Sequence, residues 1–106
     1  MAIVLIQEPT LPITAEMYDA VNTQLDMETA PPDGLIAHTA GADSDGQWRI
    51  IDVWESQDAF DRFLADKLGP AIEAVSREAG MEARPPKMTV YEAHHVMVPA
   101  PVHSHA

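Results

Sequence analysis

The run from Trp48 to Trp54 is apolar on both faces of any strand it forms. Trp48, Ile50 and Trp54 alternate onto one side, and Ile51 and Val53 onto the other. It runs straight into Ser56, which has the chemistry of a helix N-cap, and Asp58 in the next turn suits the positive end of a helix dipole. Phe60, Phe63, Leu64, Leu68, Ala71, Ile72 and Val75 then hold one helical phase. A strand covered on both sides that feeds a long amphipathic helix restricts the chain to a layered arrangement of sheet and helices.

The rest of the chain supplies the partners. Ala2 to Gln7 is a short apolar run, rich in β-branched residues and followed by Pro9 and Pro12, which favours a strand. Thr14 is the next N-cap, with Ile13 and Tyr18 placed for a hydrophobic staple. Met17, Tyr18, Val21 and Leu25 give an amphipathic helix over roughly 15–28, stopped by Pro31-Pro32-Asp33-Gly34. Leu35 to Ala42 is a second strand, and Asp43-Ser44-Asp45-Gly46 has the composition of a hairpin turn into the third, 47–55. Gly69-Pro70 interrupts the second helix without breaking its phase, so one kinked helix is expected up to Gly80. Pro85-Pro86 opens a last strand over 87–98.

Strand, helix, strand, strand, helix, strand is the order of the split βαβ, ferredoxin-like fold: α+β, with a four-stranded antiparallel sheet and both helices on one face. One domain over 1–98 and a Pro/His-rich tail over 99–106 account for the whole chain. The other face of such a sheet normally meets water, yet the first and third strands are apolar there too. A second copy packed sheet to sheet, in a homodimer, would bury that surface.

The segment Ile50-Ile51-Asp52-Val53-Trp54-Glu55-Ser56-Gln57-Asp58-Ala59-Phe60, in a chain of this length and element order, resembles the dimeric α/β-barrel superfamily and within it the antibiotic biosynthesis monooxygenase-like group. The resemblance spans Ile3 to about Val98. It implies pairing of two chains into a dimeric α/β barrel and small-molecule chemistry without a cofactor. Trp54 falls on the Trp that ends the third strand and lines the pocket in the monooxygenases. Their Asn four residues earlier is replaced here by Ile50. Phe60 stands near an aromatic pocket position. Haem-degrading relatives place a His in the segment matched by Phe63 to Leu68, which has none.

Composition sets the outer limits. Six Lys and Arg stand against 17 Asp and Glu, a net charge of −11, which disfavours nucleic acid and anionic membranes as partners. With no cysteine, thiolate chemistry and zinc–thiolate sites are excluded. No run reaches the ~20 apolar residues of a membrane span, and no secretory leader is evident, so a cytoplasmic protein is expected. His103 and His105 at the chain end form no convergent ligand set, so no metal is expected there.

Asp52 is the sharpest candidate for chemistry, because it shares a strand face with Trp48, Ile50 and Trp54. A carboxylate held among apolar side chains suits a general acid or base, and the competing expectation is an acid tied up by Arg49, Arg62 or the backbone. In the ferredoxin-like order the second strand neighbours the third, which would bring His38 beside Asp52 and fix its tautomer. His94 is a third candidate, since His94 and His95 would point to opposite faces of the last strand. Trp48, Ile50, Trp54, Phe60, Tyr91 and Tyr18 are candidates for lining a flat apolar cavity. Together these point to a small cofactor-independent enzyme, of monooxygenase, cyclase or isomerase type, that takes a proton from an apolar aromatic or polyketide-like molecule. The alternative is a non-catalytic homodimer that binds a small apolar ligand or a partner protein.

Overall fold

A computed structural model describes residues 1–10, 13–82 and 84–99. The expected His103/His105 pair and most of the Pro/His tail lie outside the described residues. The elements follow in the expected order: β1 (Ile3–Glu8), α1 (Ala15–Leu25), β2 (Leu35–Ala42), β3 (Trp48–Trp54), α2 (Gln57–Phe63), a π-helical turn (Leu64–Leu68), α3 (Gly69–Glu78) and β4 (Lys87–Glu92). The strands form one antiparallel sheet in the order β2-β3-β1-β4.

Local chemistry accounts for the boundaries. Thr14 is extended and its hydroxyl accepts from the Met17 N–H at 3.1 Å, starting α1. Ser56 does the same for the Ala59 N–H at 3.1 Å, starting α2. The β2–β3 hairpin is closed by Asp43, whose Oδ1 accepts from the N–H groups of Asp45 and Gln47. Its other oxygen takes the Arg49 guanidinium at 2.7 Å. That hydrogen bond is the main cause holding the Asp43 carboxyl below its ordinary range.

The kink expected at Gly69-Pro70 takes the form of a π turn. The Gly69 N–H reaches back five residues to the Leu64 carbonyl, so the helix absorbs one extra residue ahead of Pro70. The extra residue rotates the apolar face. Phe60, Ala71 and Val75 are buried, whereas Leu64, which helical phase places among them, is 36% exposed.

On the helix-covered face, Ile3 and Leu5 of β1 and Trp54 of β3 pack against Ala59 and Phe60, with Leu35, Phe63 and Leu68 around them. Trp54 meets Phe60 edge-on and Phe63 at a tilt, both at 5.5 Å between ring centroids. Helix α1 contributes no buried residue. Its apolar stripe faces a cavity instead of a filled core.

Three expectations need correction. The sheet is open and does not close into a barrel, so the dimeric α/β barrel is not the architecture of this chain. Here β2 and β4 are its edges, each with a single strand neighbour. Second, β4 ends at Glu92, not near residue 98. Its partner β1 begins at Ile3, opposite Glu92, and the last bond is from the Ala93 N–H to the Ala2 carbonyl, so no template remains for further pairing. His94 and His95 therefore lie past the strand, and both are exposed. Third, Tyr91 pairs with Val4 and sits on the open face of the sheet, 52% exposed, away from the helices.

Candidate active site

Alternation along β3 turns Asp52 toward the helices, and pairing sets it opposite His38 of β2. A bulge makes that possible. Leu35 pairs with Trp54 and Ala37 with Val53, which leaves Ile36 as the extra residue. Leu35 and His38 are three positions apart and would lie on opposite faces of a regular strand; the bulge lets both face the helices.

The side chains then join in one line. The His38 Nδ1 is 2.6 Å from Asp52 Oδ1. The Trp54 indole N–H donates to the other carboxylate oxygen at 3.2 Å. On the far side of the imidazole, His38 Nε2 is 2.6 Å from the Tyr18 hydroxyl. An ionised Asp52 accepts from Nδ1–H, which leaves Nε2 as the acceptor of the Tyr18 proton. Trp48 stacks on Tyr18 at 5.6 Å and holds that ring from behind. Asp52 is 4% exposed, and its only ion-pair partner among the described residues is His38. Neither Arg49 nor Arg62 clamps it. Burial, then the nearby charges of Asp52, Asp19 and Glu28, push the Tyr18 phenol above its ordinary value, so it stays protonated at neutral pH.

Tyr18, His38 and Asp52 open onto a cavity of about 160 Å³ between sheet and helices. Gln7 and Ile50 complete its floor; Met17, Val21 and Leu25 of α1 and Phe63, Leu68 and Ile72 of the second helical segment form apolar walls. Arg84 also lines it, the one Lys or Arg among the described lining residues.

Of the residues singled out from sequence, Asp52, His38, Tyr18 and Ile50 meet at this cavity. Trp48 and Trp54 stand behind it, one supporting Tyr18 and the other bonded to Asp52. Phe60 is 1% exposed in the core and does not reach the cavity. Tyr91 and His94 are remote from it, for the reasons of register and strand length given above. Gln7 and Arg84 line the cavity as well and were not among the residues expected there. The signal for Gln7 was its phase: it follows Ile3 and Leu5 on the covered face of β1.

No family model matches the chain, and no curated protein resembles it closely. Solved structures do. A mutant form of SnoaB, a cofactor-independent oxygenase from Streptomyces nogalater, superposes with a TM-score of 0.60 at 18% identity, over 91% of this chain and 95% of that one. A protein of unknown function from Nitrosomonas europaea gives 0.63 at 19% identity, over 94% of each chain. An antibiotic biosynthesis monooxygenase gives 0.58 at 19% identity, covering 93% of this chain and all of its own. The likeness is one of fold. The chain has a ferredoxin-like fold, shared with these structures at identities too low to carry over a family or a reaction. Among the described residues no helix is long and apolar enough to cross a membrane.

Proposed function

We propose that this chain is a small enzyme that works without a cofactor and takes a proton from a ring-bearing phenol or enol. The observation that carries the reading is the unbroken line Asp52–His38–Tyr18 ending at an apolar cavity. The substrate proton passes to the Tyr18 oxygen as the Tyr18 proton passes to His38 Nε2. The imidazolium so formed is stabilised by the Asp52 carboxylate, which also holds the productive tautomer. The substrate is left as an anion, and its further course, with oxygen, by ring closure or by isomerisation, defines monooxygenase, cyclase or isomerase chemistry. The fold shared with a cofactor-independent oxygenase supports that range.

Cavity size narrows the substrate. A cavity of about 150 Å³ takes one benzene ring, and this one, at about 160 Å³, is of that scale. One ring fits inside, and a polyketide-like skeleton would project from it.

A second reading has an observation of its own. Both Asp52 oxygens already have protein donors, His38 and Trp54, as they would in a homodimer that binds an apolar ligand and does no chemistry. A screen of monocyclic phenols by thermal shift finds ligands under either reading, because a ligand of the native state raises the melting temperature. Turnover separates them. With a hit in hand, Asp52→Asn should lower kcat by a factor of about 100 or more, the scale of general acid–base catalysis. Equal turnover by the variant would sink the proton-transfer role.

A further inference from the structure

The cavity floor carries a polar group that the proton line does not use. Gln7 is 7% exposed, lies on the covered face of β1 after Ile3 and Leu5, and lines the cavity. Among the described residues no protein donor or acceptor meets its carboxamide. No buried side-chain nitrogen or oxygen among the described residues lacks a partner, so the Gln7 carboxamide is not a sealed-in orphan but faces the open cavity, where a ligand can meet it. A β-branched residue would suit this strand position better. Its place in the register is informative. Gln7 pairs with Ile50 and Leu5 with Asp52, so Gln7 and Asp52 are diagonal neighbours across β1 and β3. Tyr18 ends the Asp52–His38–Tyr18 line, and Gln7 lies off that line on the same cavity floor, so the two polar groups can meet different parts of one ligand.

We propose that Gln7 is a positioning and specificity residue whose Nε2–H donates to a carbonyl oxygen on one end of a single ring, while the hydroxyl on the other end meets Tyr18. The ligand class is a small ring that carries a hydroxyl and, across the ring, a conjugated carbonyl. When the hydroxyl proton leaves through Tyr18 to His38, its electron pair delocalises through the ring onto the carbonyl oxygen. The Gln7 hydrogen bond then strengthens as charge arrives, so the amide favours the anion over the neutral ligand. This rests on the reading of the cavity as a ligand site served by the Tyr18–His38–Asp52 line.

Two probes of nearly equal shape test it, 4-hydroxyacetophenone and 4-ethylphenol, which differ in the carbonyl. Titration calorimetry on the wild type should give the ketone about tenfold tighter binding. In Gln7→Met, and in Gln7→Leu as a second apolar replacement, the ratio should fall to about one, with 4-ethylphenol bound as before. The bound ketone should also ionise at lower pH in the wild type than in either variant, read from its phenolate absorbance. A ratio and an ionisation unchanged by both substitutions would overturn the proposal. If Tyr18→Phe weakens both probes in that case, the proton line stands and only the role of Gln7 is lost. If neither probe binds the wild type, the cavity reading falls and this inference with it.

Discussion

The place of Asp52 at the candidate site was legible because period-two alternation put it with Trp48, Ile50 and Trp54, and its pairing with His38 followed from strand order alone. Tyr91 and His94 were not legible in the same way. A shift of one residue in register turns every side chain of a strand to the other face, and nothing local to β4 fixes its register. Gln7 has the sequence pattern of the polar end of an apolar strand, which hides its place on the cavity floor. At this scale two outcomes follow from the hydrogen-bonded line. Tyr18→Phe removes the bond to His38 but keeps the stack on Trp48, so it should cost about 1 kcal/mol in denaturant unfolding. The raised Tyr18 value has a definite sign in pH. The folded state holds this proton more tightly than the unfolded chain, so its contribution is full below about pH 10 and is lost as pH rises beyond it. Wild type should therefore lose more stability than Tyr18→Phe above that pH. The difference between their phenolate titrations should have a midpoint above 10.0.

Among the elements, the helix following β3 was readable from its cap and its apolar period, and Gly69-Pro70 announced an irregularity. The way the helix accommodates Pro70 was not readable, because a π turn and a simple kink follow the same sequence signal. The difference can be measured at Leu64. Phe60→Ala should cost about 3–5 kcal/mol, as for a large buried aromatic, whereas Leu64→Ala should cost about 0.5 kcal/mol or less, as for a surface change. Equal losses in the two would place Leu64 in the core and contradict the π register. The junction of β2 with α2 makes a stricter demand. Gly34 has φ +89°, and a Cβ there would come within 2.6 Å of the Ala59 Cβ. Its carbonyl also accepts the Glu55 N–H at 2.7 Å, so the loop cannot easily move away. Gly34→Ala combines left-handed strain with overpacking and should destabilise by about 2–4 kcal/mol in thermal or denaturant unfolding.

The whole molecule leaves one sheet face without helices. Val4 and Ile6 are half-buried there, while Ile51 at 38% and Tyr91 at 52% are exposed, and the charged residues of that face, Glu8, Arg49 and Lys87, sit together at one end. Apolar strands on both sides were plain in the sequence, but how that face is covered was not, since side-chain pattern records that a surface is greasy and not what meets it. The proposed homodimer would use this open face, without any closure of the sheet. Each chain carries a net charge of −11, so association brings like charges together and must work against that repulsion. Salt screens it, with a Debye length near 30 Å at 0.01 M falling to about 8 Å at 0.15 M, while the apolar contact is little affected. Light scattering should therefore show tighter association as salt rises over that range, and Ile51→Glu should abolish it at either salt concentration without disturbing the Asp52–His38 face. A monomer at every salt and protein concentration would leave the face uncovered and remove the homodimer.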